Sequence, residues 1–401
     1  MKKIMLLGGS SQQVAAIEKA KELGCYTVLC DYLSDNPGRI VADKWYPLST
    51  TDMEAVLKVA QDEQINAIVA YSSDPAAPTA AYVAKVMQLP GIPFETANAF
   101  CNKHLFRKYL RERGFNVPQC VELTRNSNAT EIKDLRFPVI IKPTDSSGSK
   151  GVRVIHDSSQ FFSALEFALK HSRNGILIAE EFIQRDHPDV IEAEVFVVNG
   201  EVKVWGLMNT IRDERLNPLL PAAYSYPLNI SKNRVSLVKE EVSRLVKCSG
   251  VKYGAFNIEM IISSEEKLYF LDAGPRNGGN ELPEFIGAIA GCDLVEATIL
   301  SALGRYDELS ALNLDGEENG FWGMVVLHSD KAGAFEKVIF DQKAARYLQR
   351  ISYFKEPGDF VGPFKISRDA IGLAFFQFDS FSERNEIMND FTGKHIKILM
   401  K

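Results

Sequence analysis

Short apolar runs alternate with helical patterns through the first hundred residues of the chain. Each run ends at small or polar residues, and a stretch with helical spacing follows it. Strands that alternate with helices of this length favour a parallel sheet with crossover helices on its faces. The strands are expected at 3–7, 26–30, 45–48 and 67–71, and the helices at 14–23, 52–63 and 76–87. We therefore predict a Rossmann-like N-terminal domain over residues 1–95.

The turn after the first strand lacks the fingerprint of a dinucleotide site. It reads GGSSQQ rather than G-x-G-x-x-G, so an NAD(P)-dependent oxidoreductase is only an alternative interpretation. Asp31 ends the second strand, where a ribose-binding acid would lie, but it could equally cap a loop beside a Gly8-Gly9 turn. The polar run at 72–74 leaves a small-molecule site at the strand ends open.

Composition narrows the class of protein. A chain of 401 residues suggests two or three domains, and its net charge of −6 argues against a generic nucleic-acid or anionic-membrane binder. The six cysteines form no CxxC pair and the six histidines are scattered, which indicates a reducing compartment and no His-ligated metal. No apolar run approaches the length of a membrane span, so we expect a cytoplasmic protein.

The pattern changes beyond residue 96. Helices are expected at 102–114, 157–171, 236–248 and 293–303, and strands at 137–142, 176–179, 193–198, 202–207, 322–328, 371–377 and 395–399. Asn199-Gly200 favours a type I′ hairpin turn, and a second hairpin is expected over 255–272. The polar stretch 304–320 is a plausible linker to a last domain.

A loop of small residues follows the apolar strand FPVIIK. The strand delivers Lys142 at its end, and Lys150 lies in the loop. Small side chains let backbone N–H groups approach phosphate oxygens, while lysines and hydroxyls supply charge and further donors. The loop is not a Walker A motif, and a flexible hairpin is the alternative. Its candidate phosphate-binding residues are Ser146, Ser147, Gly148, Ser149 and Gly151.

The second hairpin carries two carboxylates. If the four-residue loop 263–266 sets the register, Asn257 faces Asp272, and Glu259 lies diagonally from Asp272 on the same face. Two carboxylates on a half-buried face repel unless a cation joins them, and Mg²⁺ with phosphate oxygens is the natural partner. A solvated polar face is the alternative. Directly afterwards, the run GPRNGGN presents Arg276, which suits stabilisation of an oxyanion or a transferring phosphoryl group.

Together these motifs resemble the ATP-grasp enzymes, a group that includes biotin carboxylase, L-amino acid ligases and the large subunit of carbamoyl phosphate synthase. Lys103, before a helix ending at Gly114, is similar to the family's first ATP-phosphate lysine, and Lys142 to its second. The segment AEEFI resembles the hinge between the two lobes. There the resemblance implies an adenine site formed by backbone groups near Glu181, Phe182 and Ile183, with Glu180 beside it.

The resemblance also implies roles for the remaining candidates. Glu259 and Asp272 would hold the metal, and Arg276 would steady an acyl phosphate. The ribose-binding acid is one of Asp189, Glu192 and Glu194, and we choose Glu192. The sequence departs from the family at Asp272, where Glu is usual, and at Gly274, where a metal-binding Asn is usual. Asn257, Asn277 or Asn280 could substitute for the latter.

The implied architecture is an α/β and α+β chain with a pre-ATP-grasp domain, an ATP-grasp domain at 96–310 (lobes 119–180 and 181–310) and a C-terminal α+β domain at 321–401. The implied activity is an ADP-forming ligase that uses ATP and Mg²⁺, or Mn²⁺, to join a small carboxylate or amino acid to an amine or thiol. A bicarbonate-using carboxylase or carbamoyl-phosphate-type enzyme and a catalytically degenerate ATP-binding protein are the alternatives. A homodimer is compatible with the resemblance.

Overall fold

The N-terminal segment forms a four-stranded parallel sheet with helices on its faces. The computed structural model describes residues 1–146, 150–314, 316 and 319–401. The elements of this segment are β1 (Lys3–Leu7), α1 (Val14–Glu22), β2 (Tyr26–Cys30), α2 (Gly38–Val41), β3 (Lys44–Tyr46), α3 (Met53–Glu63), β4 (Ala67–Val69) and α4 (Ala77–Met87). The strand order is β3-β2-β1-β4, and every pairing is parallel. The strand and helix alternation predicted from the sequence is thus confirmed.

Two helices then lead into a second, antiparallel sheet of four strands. The elements are α5 (Phe94–Phe100), α6 (Lys103–Glu112), β5 (Cys120–Leu123), β6 (Val139–Pro143), β7 (Arg153–Ile155), α7 (Phe161–Leu169) and β8 (Leu177–Glu181). The strand order is β5-β8-β6-β7. Asn102 caps α6, because its side-chain oxygen accepts from Leu105 N at 3.1 Å. We call β5–β8 with α7 the small lobe.

The third sheet has eight antiparallel strands. Its first part comprises β9 (Val190–Val198), β10 (Glu201–Arg212), β11 (Pro221–Tyr226), α8 (Lys232–Ser249), β12 (Gly254–Ile262), β13 (Leu268–Gly274), α9 (Leu282–Ala290), α10 (Leu294–Ala302) and α11 (Tyr306–Ala311). Asn199 and Gly200 have φ values of 55° and 83° in the turn between β9 and β10. Both values are positive, as a type I′ turn requires.

The C-terminal residues extend that sheet. They form β14 (Phe321–Leu327), β15 (Gly333–Phe340), α12 (Gln342–Tyr347), β16 (Leu348–Tyr353), β17 (Phe360–Val361), β18 (Gly372–Phe378), α13 (Phe381–Met388) and β19 (Ile396–Met400). The order of the large sheet is β13-β12-β9-β10-β11-β14-β18-β16, and β17-β15-β19 form a separate small sheet. Strands on both sides of the predicted linker therefore share one continuous sheet.

Alternation along β9 determines what faces the site. Its odd-numbered residues, such as Ile191 and Val195, pack in the core with α8. On the other face, Phe196 joins the core that contains α9. Period-two alternation places Glu192 and Glu194 on the same face as Phe196. The sheet thus presents carboxylates where the core gives way to a cleft.

Helices α9 and α10 supply apolar residues to the core. Leu282, Phe285 and Leu294 are buried in the cluster below the large sheet. Within the described ranges, no single helix is long and apolar enough to cross a membrane. Taken together, α9 and α10 have the length and apolar composition of a membrane-spanning helix, but the two are bent by 111° relative to each other.

Candidate functional site

Three carboxylates lie in a row across neighbouring strands of the large sheet. The register pairs Glu192 on β9 with Glu259 on β12, and Glu259 with Asp272 on β13. Residues directly opposite one another on an antiparallel pair share a face, with Cβ atoms about 5 Å apart. The row therefore lines up three acidic side chains across the cleft face of the sheet.

This register differs from the predicted one. Asn257 pairs with Gly274, not with Asp272, and Ile262 pairs with Leu268. The connection between the strands is one residue longer than predicted, and the register shifts again between Glu259 and Met260. The two shifts move Asp272 from a diagonal position to one directly opposite Glu259, which brings the two proposed metal ligands closer together.

A second row of polar residues lies beside the first. Gly278 N donates to both oxygens of Glu194, at 3.0 and 2.9 Å. Asn257 Nδ2 donates to Glu194 Oε2 at 3.2 Å and to Glu192 Oε1 at 2.7 Å. Thr210 Oγ1 donates to the other Glu192 oxygen at 2.7 Å. The inner carboxylates are thus oriented by neutral donors rather than by cations.

Burial is the largest influence on the pKa values of Glu192 and Glu194, and it raises both. It raises the pKa of Glu192 to about 7, with repulsion from Glu259 acting in the same direction. It raises the pKa of Glu194 to about 8, against the donors described above. Arg212, which the sequence analysis missed, ends β10 and donates to Glu259 Oε2 at 3.4 Å. The row offers carboxylate oxygens, the kind of ligand that a hard cation such as Mg²⁺ prefers.

No preformed cage of ligands is present in the described part of the chain. There, no three Asp, Glu, His or Cys side chains come close enough together to hold a metal ion. Mg²⁺ is usually held by one or two protein carboxylates, with waters and substrate phosphate oxygens completing its shell. Glu259 and Asp272 match that minimal requirement.

Lys103 is brought to the carboxylate row by the first turn of α6. Its Nζ donates to Asp272 Oδ2 at 2.9 Å, and its backbone N–H donates to Thr144 O at 3.0 Å. Burial opposes ionisation of Asp272, but the attraction of Lys103 outweighs it and holds the pKa of Asp272 below its ordinary value. The backbone contact ties α6 to the loop that follows β6.

Lys142 belongs to a buried ion cluster with Glu180 and Arg107. Its Nζ contacts Glu180 Oε1, and Arg107 Nε donates to Glu180 Oε2 at 2.9 Å. Arg107 also donates to the backbone carbonyls of Phe270 and Leu271, at 3.1 and 2.9 Å. The cluster therefore joins the small lobe to β13.

The charges in this cluster shift one another's pKa values. Burial opposes ionisation of Glu180, but Arg107 and Lys142 outweigh it and lower its pKa to about 2. Burial lowers the pKa of Lys142, and the positive charges of Arg107 and Lys103 add to that effect against Glu180. Arg107 was not selected as a site residue in the sequence analysis.

The described residues of the glycine- and serine-rich loop lie next to this cluster. Ser146 Oγ donates to Lys150 O at 2.8 Å. Gly151 has a φ of 78°, and a Cβ there would lie 2.8 Å from Pro143 Cγ and from His171 Cβ, so the close packing and the positive φ both favour glycine. The predicted phosphate contacts at Ser147, Gly148 and Ser149 lie outside the described residues.

The predicted hinge leaves the small lobe at the end of β8. Glu181 N donates to Gln119 O at 3.0 Å, and Phe182 N donates to Pro138 O at 2.9 Å. The side chain of Glu181 accepts from Arg136 N at 2.9 Å, and Phe182 is 40% exposed. Ile183 follows outside regular secondary structure. An adenine site at these residues stays a prediction.

Arg276 is held by a residue of the N-terminal segment. Its Nε and Nη2 donate to the two oxygens of Asp74, at 2.7 and 2.6 Å, and its Nη1 donates to Asn277 O at 2.9 Å. Nearby, Ser72 Oγ donates to Gly278 O at 2.6 Å. The strand-end residues Ser72 and Asp74 therefore contact the loop after β13, whereas the sequence left their role open.

All three asparagines suggested to replace the missing ligand at 274 make side-chain hydrogen bonds, and those of Asn257 go from its Nδ2 to Glu192 and Glu194. Asn277 Oδ1 accepts from Thr298 Oγ1 at 3.1 Å, and Asn280 Nδ2 donates to Tyr224 OH at 3.1 Å. Asn257 lies directly opposite Gly274 on the cleft face of the sheet. Asn257 is therefore the best placed of the three.

Two cavities border the site. One, of about 410 Å³, lies between the N-terminal segment and the small lobe, and its lining includes Asp74, Lys103, Ser146 and Asp272. The other, of about 450 Å³, lies at the carboxyl ends of β1, β2 and β4, and its lining includes Ser10, Asp31, Ser72, Lys355 and Arg368. Ligands of open α/β sheets bind at such strand ends. Asp31 itself accepts from Gly9 N at 2.8 Å.

The contact between α9 and the N-terminal segment makes stability depend on pH. Burial raises the pKa of Glu284 to about 7, and Tyr71 OH donates to it at 3.4 Å. Between about pH 4.5 and 7 the folded state keeps a proton that the unfolded state releases, so the free energy of unfolding falls as pH rises and levels off above 7. We expect Glu284→Gln to gain about 2 kcal/mol over the wild type at pH 8.

Urea unfolding at pH 5 and pH 8 measures this difference. The Glu284→Gln variant should show a shallower loss of stability between the two pH values than the wild type. Glu201→Gln, at an exposed position, serves as the control and should leave the pH dependence unchanged. Equal slopes for Glu284→Gln and the wild type would contradict the prediction.

Comparison with known proteins places these features in a family. The family described as carbamoyl-phosphate synthase L chain, ATP binding domain, matches residues 102–308. A carbamoyl phosphate synthase large chain from Methanobrevibacter smithii is 24% identical over 270 residues, which cover 64% of this chain and 24% of that relative. A formate-dependent phosphoribosylglycinamide formyltransferase from Sulfurisphaera tokodaii is 25% identical over 286 residues, covering 69% and 70% of the two chains.

Solved structures share the arrangement of the whole chain. An L-amino acid ligase from Bacillus licheniformis superposes with a TM-score of 0.81 at 19% identity, covering 100% of this chain and 99% of that one. The likeness extends over the whole chain, and at this identity it speaks to the fold alone. By contrast, the present chain spans about a quarter of the Methanobrevibacter large chain, at 24% of its length.

Proposed function

The chain belongs to the family of the carbamoyl-phosphate synthase L chain ATP-binding domain, an ATP-grasp family, and on that basis we propose that it is an ADP-forming ligase. A carboxylate oxygen of the acceptor attacks the γ-phosphorus of ATP, the bond from that phosphorus to the β–γ bridging oxygen breaks, and ADP leaves. An amine or thiol then attacks the acyl carbon, and phosphate leaves. The acceptor is a small carboxylate or an amino acid.

One observation carries the proposal. The row formed by Glu192, Glu259 and Asp272 is approached by two cationic side chains from separate elements: Lys103 on α6 contacts Asp272, and Lys142 on β6 is close enough for its charge to lower the pKa of Asp272. Lys103 contacts the row directly, at 2.9 Å from Asp272. Phosphoryl transfer depends on positioning and on neutralising phosphate charge, and it needs little covalent chemistry from the protein. The reaction requires carboxylates that bind the metal ion and cationic side chains that neutralise the phosphates, and the site offers both.

The residues have distinct proposed roles. Lys103, Lys142 and the loop 145–151 neutralise the phosphates, and Glu259 with Asp272 holds Mg²⁺. When bound, Mg²⁺ neutralises charge that develops on the phosphoryl oxygens. Arg276 stabilises the acyl phosphate and the oxyanion formed from it. Backbone groups of Glu181, Phe182 and Ile183 bind adenine beside Glu180, and Glu192 is the candidate for ribose.

The larger of the two cavities suggests where the acceptor binds. The 450 Å³ cavity joins the strand ends of the N-terminal sheet to Lys355 and Arg368 near the C-terminus. Ser72 lines it and contacts Gly278, two residues beyond Arg276. We therefore infer that the acceptor reaches Arg276 from this side, while the nucleotide approaches from the small lobe.

The proposal is tested by Mg²⁺-dependent release of ADP and phosphate from ATP. The twenty amino acids, common carboxylates and bicarbonate are supplied as separate pools, with an amine and a thiol present. Stimulation by one pool identifies the acid, and dependence on bicarbonate alone would favour a carboxylase or carbamoyl-phosphate-type activity. ATP binding without turnover in any pool would favour the degenerate ATP-binding protein.

Two lysine substitutions, one in the site and one outside it, make the test more specific. We expect Lys142→Ala to lower ATP turnover by about 100-fold or more, because a buried cation beside the phosphates is lost. Lys170→Ala, at an exposed position of the same lobe, is the matched control and should turn over ATP at the wild-type rate. A Lys142→Ala protein as active as the control would overturn the assignment of Lys142.

A further inference from the structure

The contact between Asp74 and Arg276 joins residues 202 positions apart in the chain. It is a two-point contact, because Nε and Nη2 of the guanidinium meet both carboxylate oxygens. Such fork-to-fork pairs fix the direction of the guanidinium plane as well as its position. The side chain of Arg276 is 13% exposed and that of Asp74 is 25% exposed, so the pair is largely shielded from water.

Gly274 leaves the space that this pair occupies. A Cβ at 274 would lie 2.4 Å from Asp74 Oδ1 and 2.9 Å from Arg276 Cζ, which is closer than van der Waals contact allows. Gly274 belongs to β13 and has no positive φ, so its backbone conformation suits any residue. Position 274 therefore requires glycine because the Asp74–Arg276 pair occupies the space that a side chain would need, and not because of the backbone conformation.

The pair also determines which donors of Arg276 are left for a ligand. Two guanidinium N–H groups go to Asp74 and one goes to Asn277 O. Of the five N–H groups of a guanidinium, this leaves one on Nη1 and one on Nη2. Without the carboxylate, the guanidinium would keep only its contact with Asn277 O, and the two remaining donors would lose their fixed direction.

The loop after β4 contacts the loop after β13 at a second point. Ser72, two residues before Asp74, donates through Oγ to Gly278 O at 2.6 Å. Ser72 has a φ of 52°, a left-handed conformation that is uncommon for a non-glycine residue and is held here by surrounding contacts. The loop after β4 thus contacts both Arg276 and Gly278.

We propose that Asp74 is a positioning residue for the ligation reaction, which holds the Arg276 guanidinium in its working orientation in the space that Gly274 leaves. This inference rests on the proposed function, because it assigns Asp74 an effect on the step that Arg276 stabilises. The N-terminal segment then contributes to the chemistry through Asp74 as well as lining cavities.

The test compares Asp74→Asn and Asp74→Ala with the wild type in the ATP turnover assay. Because a small misplacement of a catalytic group is costly, we expect kcat to fall about 10- to 100-fold, while the KM for ATP changes by less than about threefold. A purely structural role would lower the thermal midpoint and leave kcat per folded molecule unchanged. Asp62→Asn, at an exposed position on α3, is the matched control and should retain the wild-type kcat.

A double mutant tests the competition for space. Gly274→Ala alone should lower kcat, because the new methyl group displaces the pair. When Gly274→Ala is added to the Asp74→Ala variant, it should lower kcat by a smaller factor, because the Asp74 carboxylate is already gone. Equal factors in the two backgrounds, or an Asp74→Asn enzyme with wild-type kcat, would overturn the inference while leaving the ligase assignment intact. A wild-type protein that turns over no ATP with any acceptor would overturn both.

Discussion

Replacing Asp272 by Asn, or Glu259 by Gln, is expected to reduce Mg²⁺-dependent ATP turnover by about 100- to 1,000-fold. Each change keeps the shape of the side chain and removes one negative charge from a row in which Glu259 lies directly opposite both Glu192 and Asp272. Less acid means weaker binding of the cation that bridges protein and phosphates. Turnover measured against Mg²⁺ concentration should show a raised requirement for the metal as well as a lower maximum.

The control for this experiment lies on the same hairpin. Glu265 is in the turn between β12 and β13, where it contacts Lys267 Nζ at 2.6 Å. Glu265→Gln should leave turnover and its Mg²⁺ dependence unchanged. If Asp272→Asn and Glu259→Gln behave as this control does, then the carboxylate row does not hold the metal.

Loss of the Glu180 charge is expected to cost about 3–5 kcal/mol in the free energy of unfolding. Glu180 is 3% exposed and Arg107 is 1% exposed, and Lys142 contacts the same carboxylate. Glu180→Gln would leave two buried cations without their counter-charge. Urea unfolding measures the effect, and Glu95→Ala, which breaks the exposed Lys85–Glu95 pair, should leave the free energy of unfolding close to that of the wild type.

The pH dependence gives a second measure of the same cluster. The pKa of Glu180 is lowered to about 2, so the folded state stays ionised where the unfolded state takes up a proton. The stabilisation is therefore present above about pH 4.5 and is lost as pH falls toward 2. Glu180→Gln should lack this acid-sensitive part of the stability. An unchanged acid unfolding profile would contradict the assignment of the ion cluster.

Local patterns predicted most of the architecture. The parallel N-terminal sheet was predicted from apolar runs that alternate with amphipathic stretches, and the turn at Asn199-Gly200 from its residue types. Both are confirmed, and the whole-chain likeness to the L-amino acid ligase structure confirms the ATP-grasp fold. Such signals lie within a few residues of one another, so neighbouring sequence is sufficient to specify them.

The hairpin shows where local patterns became insufficient. The sequence placed Glu259 and Asp272 on one face but predicted them to be diagonal. A connection one residue longer and a register shift at Glu259 and Met260 make them direct partners. A one-residue slip changes every pairing along a strand, and the packing of β12 against β9 as well as β13 selects among the registers. Pair distances at a site therefore depend on the whole sheet.

By itself the sequence determined the family, the order of the elements and the chemical character of the candidate residues, because motifs and periodicity are properties of neighbouring positions. Only the tertiary structure decided their partners: Glu180 with Arg107 and Lys142, and Arg276 with Asp74. Those contacts join positions 38 to 202 residues apart. They form because folding brings distant charges together in a poorly hydrated space, where an unpaired ion is costly.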